Sequence, residues 1–285
     1  MALATVDAGR ERVMRIALGL EYDGSGFRGW QLQGPSVRTV QGCLEQALSR
    51  VAGEPVATVC AGRTDAGVHA TAQVVHFDTG AERSARSWIL GGNSNLPADI
   101  SVLWACPAAP AFHARFAALA RRYRYIILNR PYRSALHHRR VAWHCQPLEV
   151  EAMAAAATYL LGEHDFSSFR AQGCQAKSPV RSLYALRVQR QRDLIIIDAE
   201  ANAFLHHMVR NIVGVLLAIG AGERPVDWTR EVLAARNRAL GGVTAPAAGL
   251  YLAAVRYPEA FGLPAAPALS LPLAGAEPEA RSGGA

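Results

Sequence analysis

Cysteine is sparse, and its spacing offers no pairs. The five residues, Cys43, Cys60, Cys106, Cys145 and Cys174, lie far apart, are odd in number and form no C-x-x-C. That spacing excludes a disulfide framework and supplies no thiolate zinc site. Isolated cysteines of this kind are small apolar packing residues. Long apolar runs are missing as well. The longest candidate, 204–219, is interrupted by His206, His207, Arg210 and Asn211, and a bilayer span needs ~20 apolar residues. The first dozen residues carry Asp7 and Glu11 and no continuous apolar segment, unlike a secretory leader. A cytoplasmic protein with no membrane segment is the expectation.

Lysine is nearly absent too. Of 30 basic residues only Lys177 is lysine, against 23 acidic residues and a net charge of +7. Arginine grips phosphate through a planar fork, which suits an RNA binder; codon bias in a GC-rich genome explains the ratio as readily. Placement says more. Arg115, Arg121, Arg122, Arg124, Arg130, Arg133, Arg139 and Arg140 are interleaved with Tyr123, Tyr125 and Tyr132, the mixture of cation and stacking ring that a nucleic-acid groove uses. A solvated charged face is the plainer alternative.

What is present in quantity is apolar. At 51% hydrophobic and 19% charged residues over 285 positions, the chain can bury a full core. Strands are expected at 13–22, 56–61, 73–77 and 100–105, with helices at 40–51 and 84–90, the second stopped by Gly91 and Gly92. A second β-α-β-β-α-β series follows. It comprises a strand at 123–128 with Tyr123, Tyr125 and Ile127 on one face and a helix at 150–161 stopped by Gly162. A hairpin at 183–189 and 194–199, a long helix from Ala203 to Ile219 and a last strand at 251–255 complete it. An added helix is capped by Asp227 and ends near Gly241. The expected fold is α+β, with two ferredoxin-like halves and mainly antiparallel sheets around a central RNA-binding cleft. The boundaries are 1–12 as a flexible N-terminus, 13–112 and 113–260 as the two halves, and 261–285 as a flexible Pro/Ala-rich tail.

Gly24-Ser25-Gly26-Phe27-Arg28-Gly29 matches G-x-G-x-x-G after a strand, with Glu45 near the position of a ribose-binding acid. A dinucleotide site needs a helix to open directly from the glycines, and Gly34-Pro35 breaks the chain first. These glycines are expected instead in a flexible or closely approached loop that shapes a binding cleft.

The segment Ala61-Gly62-Arg63-Thr64-Asp65-Ala66-Gly67-Val68-His69-Ala70 lies between two short strands. Gly62 and Gly67 allow tight turns on either side of Asp65. An arbitrary loop aspartate would do no more than bond its own backbone. The decapeptide, however, closely resembles the catalytic motif of the anticodon-arm tRNA pseudouridine synthase family. The resemblance runs through Tyr22-Asp23-Gly24 with Phe27, Gly29, Trp30 and Gln31, then Phe112-His113-Ala114-Arg115 and Arg121-Arg122-Tyr123-Arg124-Tyr125. It continues with Asp165-Phe166-Ser167-Ser168-Phe169, Phe204-Leu205-His206-His207-Met208-Val209-Arg210-Asn211 and Gly249-Leu250-Tyr251-Leu252. Residues 13–257 are covered in the family's order.

The resemblance implies a tRNA-uridine isomerase that forms pseudouridine at positions 38, 39 and 40, with no cofactor and no metal. It implies Asp65 as the catalytic carboxylate, acting by attack on the sugar or through a glycal. It further implies Arg210 as ion-pair partner of Asp65, Arg63 for displacing the target base, Tyr123 as the substrate-contacting tyrosine, and a homodimer with one tRNA spanning both subunits. Tyr125 reads as core. His206 and His207 invite a metal reading, but no third ligand follows them at a useful spacing, and polar or RNA-contacting roles are expected. Two other readings stand beside the enzyme: a non-catalytic RNA-binding chaperone that keeps the cleft, and a nucleotide-cofactor oxidoreductase.

Overall fold

The computed structural model describes residues 13–264. The flexible N-terminus expected at 1–12, and residues 265–285 of the flexible tail expected at 261–285, lie outside the described residues. Apolar alternation at Ile16, Leu18 and Leu20 produces strand β1 (Met14–Tyr22), whose odd face is lined by Ala17 and Gly19. Helix α1 (Val40–Ala52) begins where the Thr39 side chain accepts the Gly42 N–H, and ends at Gly53, whose φ of 78° is left-handed. That is a side-chain cap at one end and a glycine at the other. Its buried stripe, Val40, Leu44, Ala47 and Leu48, lies on the sheet, and each buried leucine contributes roughly 1.5–3 kcal/mol.

Strands β2 (Val59–Cys60), β3 (His69–Thr79) and β4 (Ile100–Ala108) complete the first half with helix α2 (Ala85–Asn95). Helix α2 does not stop at Gly91 and Gly92 but runs through both. A Cβ on Gly91 would stand 2.9 Å from Val51 Cγ2, and one on Gly92 3.2 Å from Val102. These glycines serve close packing of α2 on α1 and β4, not termination.

The second half contains β5 (Ala120–Asn129), β6 (Ala142–His144), α3 (Val150–Thr158), β7 (Gly162–Asp165), β8 (Val180–Gln191), β9 (Leu194–Ala201), α4 (Met208–Gly220), α5 (Trp228–Ala235) and β10 (Leu250–Arg256). On β5, Tyr123, Tyr125 and Ile127 face the helices, while Ile126 and Leu128 pack on the opposite face, as the alternation predicts. Helix α4 starts five residues later than expected, because His207 is left-handed at φ 60°. Helix α5 follows Asp227 but is not capped by it; that carboxylate instead accepts the Tyr159 hydroxyl at 2.8 Å.

The class is α+β with mainly antiparallel pairing. Ten strands form one sheet in the order β4-β1-β3-β10-β5-β9-β8-β7, with β2 on β3 and β6 on β5. The two halves are joined by β10, antiparallel to β5 but parallel to β3 over just two pairs, Tyr251↔His69 and Leu252↔Ala70. Residues of all four longer helices share one core with the sheet face beneath them. A smaller cluster on the other face includes Ala17, Val74 and Phe112. Phe261, expected in a loose tail, packs edge-on against Phe112 at 5.3 Å, so the ordered chain continues past the position expected.

The glycine fingerprint is no nucleotide site. Gly24–Gly26 is a single 3-10 turn, and Glu45 is committed to the Thr58 amide at 2.7 Å and its hydroxyl at 3.0 Å. A Cβ on Gly24 would fall 2.0 Å from the Val68 carbonyl oxygen, whereas one on Gly34 meets nothing within 4 Å. Gly24→Ala is therefore expected to lose ~1–3 kcal/mol in urea unfolding and Gly34→Ala less than ~0.5 kcal/mol; equal effects would deny the close approach.

His76, buried against Phe112 and His113, has its pKa pushed down to about 4, first by burial and then by Arg15 and His113. Its Nδ1 accepts the Ala114 N–H at 3.1 Å, a bond that needs the neutral ring. The unfolded chain therefore binds this proton more readily than the folded one. Stability is full above pH ~6.5 and declines as pH falls from there toward ~4. His76→Gln should flatten that slope in calorimetric melts taken across the window.

Candidate active site

The decapeptide loop runs from β2 to β3 and is held from beneath. Trp30 N–H donates to the Thr64 carbonyl at 2.9 Å, and Val68 N–H donates to the Asp65 carbonyl at 3.1 Å. The Thr64 and Tyr22 hydroxyls are 2.8 Å apart. Fully buried Gln73 reaches back from β3, its amide donating to the Gly62 carbonyl at 2.6 Å and its oxygen accepting the Gly62 N–H at 3.4 Å. Gly29, at φ 98°, leaves only 2.8 Å between a hypothetical Cβ and the Thr64 carbonyl. The glycine loop and the motif loop are thus packed backbone to backbone, and Asp65 is pushed out toward the second half.

There it meets the start of α4. His206 Nε2 stands 3.3 Å from Asp65 Oδ1, His207 Nε2 3.4 Å from Oδ2, and Arg210 Nη1 3.7 Å from Oδ2. The Arg210 guanidinium is anchored by its Nε, which donates to the Ala245 carbonyl at 2.8 Å. Burial, ahead of the neighbouring Arg210 and His206, holds the His207 pKa below the usual histidine value against the pull of Asp65. His206 and Arg210 reach one carboxylate without sharing a helical turn, since α4 begins only at Met208.

Tyr123 is buried on β5, its ring edge-on to Phe204 at 5.1 Å and its hydroxyl 3.4 Å from where a Gly62 Cβ would lie. Burial, reinforced by the Asp65 charge, raises its pKa well above the ordinary phenol range, so the hydroxyl keeps its proton. Tyr125 is core: it is fully buried, with its hydroxyl donating to the Pro246 carbonyl at 2.8 Å. Arg63 is exposed beside Asp65 and has no ion pair or hydrogen bond among the described residues.

The arginine-rich stretch divides by role. Arg121 is spent on the backbone carbonyls of Ala61, Arg115, Ala118 and Asn202. Arg124 forks onto Asp198, and Arg140 pairs with Asp23. Arg122, Arg133 and Arg139 present exposed side chains. Reading the stretch as one RNA-facing surface therefore overcounts it, because strand alternation and buried carbonyls claim several members.

Sequence spacing supplied no third ligand for a metal at His206 and His207, but folding brings Asp65 to them. The three donor groups lie within 4.8 Å of one another. The guanidinium of Arg210 faces the same carboxylate oxygen, a cation where a metal would also have to sit. The carboxylate thus has imidazole and guanidinium nitrogens around it. Neither Gln73 nor the contact of both histidines with Asp65 was legible beforehand. The one available signal for Gln73 was a polar residue inside an apolar strand.

The family profile described as tRNA pseudouridine synthase matches residues 20–117 and 156–258. A protein of Nitrosococcus oceani named tRNA pseudouridine synthase A is 65% identical over 251 residues, covering 88% of this chain and 96% of its own. Proteins with the same name from Methylococcus capsulatus and Pseudomonas aeruginosa are 61% and 57% identical, covering 88% and 92% of this chain and 92% of each of their own lengths.

The loop's footing can be measured apart from any activity. Replacing Gln73 by Leu leaves the Gly62 N–H and carbonyl without their partner, and an expected ~1–3 kcal/mol is lost in urea unfolding. An unchanged midpoint would show that Gly62 is held by other means.

Proposed function

The chain belongs to the tRNA pseudouridine synthase family, and from that premise we propose that it converts uridine to pseudouridine at positions 38, 39 and 40 of the tRNA anticodon stem and loop. It is an RNA-uridine isomerase. The C1′–N1 bond of the target nucleotide breaks, the uracil turns, and a C1′–C5 bond forms. The C5 proton is released and N1 regains one, so atoms balance with no redox partner.

The observation that carries this reading is the carboxylate of Asp65, lifted on a glycine-bracketed loop and faced by Arg210 at 3.7 Å. Asp65 is the catalytic residue, acting at the sugar by attack or by way of a glycal. The Arg210 guanidinium complements its charge in a partly buried site. Tyr123, with its apolar ring against Phe204, offers a face to the everted uracil; such stacking is typically worth ~1–3 kcal/mol per base. Its retained proton favours a packing and hydrogen-bonding role over removal of the C5 proton. Arg63, exposed and unpaired among the described residues, is free to enter the space the base leaves. Extracting a stacked nucleotide costs a few kcal/mol, offset by backbone contacts from exposed arginines such as Arg122, Arg133 and Arg139.

A homodimer with one tRNA across both subunits, a cytoplasmic location and a metal-free site belong to the same proposal. So does the division into ferredoxin-like halves at 13–112 and 113–260, supported by the narrow two-pair seam between β3 and β10.

Tritium release from C5-labelled uridine in unmodified tRNA tests the reading. The native chain should release tritium, while Asp65→Ala should release none yet retain tRNA binding. Release by that variant at the native rate would remove Asp65 from the chemistry. Arg210→Ala should lose turnover with a smaller loss of affinity; unchanged turnover would remove it from the ion pair.

A further inference from the structure

Four non-glycine residues among those described have positive φ: Arg139, Arg192, Arg236 and His207. The first three are exposed, where turns tolerate such a backbone, whereas His207 is half-buried at the entry to α4. Its φ of 60° and ψ of 5° are left-handed, a conformation that crowds the Cβ of an L-residue and that glycine adopts freely. It also occupies the N-cap position without a side-chain cap bond, where Ser, Thr, Asp, Asn or Gly would serve the helix better. The residue is thus unfavourable for its backbone, and its side chain does nothing to cap its helix.

Its ring has another use. Adjacent side chains on a helix diverge by about 100°, but the left-handed residue breaks that spacing and the His206 and His207 rings lie 4.0 Å apart. One ring stands at each carboxylate oxygen of Asp65, at 3.3 Å and 3.4 Å. The turn is tied down on its other side, with the Ala171 N–H donating to the His206 carbonyl at 2.9 Å and the His206 N–H to Cys174 Sγ at 3.4 Å.

We propose that His207 is a positioning residue: its strained backbone is retained because it brings the imidazole, paired with that of His206, onto Asp65 and fixes the plane of the carboxylate for reaction. Carboxylate rotation about Cβ–Cγ is soft, and Arg210, whose shortest approach of 3.7 Å is too long for a hydrogen bond, does not define it. Two rings, one per oxygen, do. Because burial favours the neutral His207 ring, the contact orients the carboxylate without cancelling the negative charge that the chemistry needs. Backbone strain kept at a reactive group in this way is stability traded for geometry.

The inference rests on the reading of Asp65 as the reacting carboxylate, and the full chain with C5-tritiated tRNA separates the two. His207→Gly relieves the backbone and removes the ring. Its melting temperature should be no lower than native, while kcat falls ~10-fold or more with KM for tRNA within ~3-fold. His207→Gln places an amide donor near the position of Nε2 and should recover turnover by at least ~3-fold over the glycine variant, with no gain in melting temperature. His207→Ala, strained and without a donor, should lose both stability and turnover. Native turnover by His207→Gly, or turnover that follows melting temperature across the three variants, overturns the proposal. If His207→Gly is fully active while Asp65→Asn is inactive, this inference alone fails; if Asp65→Asn turns over normally, the assignment of the site falls with it.

Discussion

Everything at the site depends on one approach: a carboxylate from the first half brought against the nitrogen-bearing side chains that open α4 in the second. Neither half holds this arrangement alone. Asp65 is carried on a loop whose backbone lies directly on the glycine loop, close enough that a Cβ at Gly24 would overlap the Val68 carbonyl. His206, His207 and Arg210 are carried by a turn pinned to the 171–174 segment and to Ala245. What holds the two carriers in register is β10, inserted between β3 and β5, with Tyr251 opposite His69 and Leu252 opposite both Ala70 and Tyr123. The motif loop, Tyr123 and the closing strand therefore meet at a single seam of the sheet.

Much of the family resemblance proves to be scaffolding for that seam. The buried Ser168 hydroxyl accepts the Asn237 N–H at 2.9 Å, and the Phe169 carbonyl accepts from buried Asn211 at 2.7 Å, tying the Asp165–Phe169 segment to α4 and to the turn after α5. His69, the last polar residue of the decapeptide, is buried and stacked on Tyr251 at 4.6 Å, with Nε2 near the Arg139 and Ala248 carbonyls. Its Nδ1 lies 3.0 Å from the Gly24 N–H and 3.2 Å from Asp23 Oδ1. Arg121 acts similarly, binding four backbone carbonyls. A motif residue is as often a brace as a reagent.

Local pattern carried the reading of the elements a long way. Alternation on β5, the Thr39 cap and the apolar face of α1 were legible because each depends on neighbours within a few residues. The errors share one cause. Gly91 and Gly92 looked like a helix stop, yet serve packing against Val51 and Val102. Asp227 looked like a cap, yet serves Tyr159. Residues 203–207 looked helical from their hydrophobic spacing, yet His207 turns left-handed where α4 meets Asp65. In each case a distant partner outweighed local propensity.

By itself the sequence determined the α+β class, the order of the helices and of every strand but β6 and β7, and the naming of Asp65, Arg63, Tyr123 and Arg210 as site candidates. The elements follow from periodicity, and the candidates from the motifs' resemblance to a known family. Only the tertiary structure decided that the strands form one sheet through β10, that Asp65 faces two histidines as well as an arginine, and which arginines are engaged within the protein. These outcomes rest on contacts between segments far apart in the chain, such as Asp65 with Arg210 and Arg124 with Asp198. Side-chain periodicity holds no information about which distant group will occupy the other side of a contact.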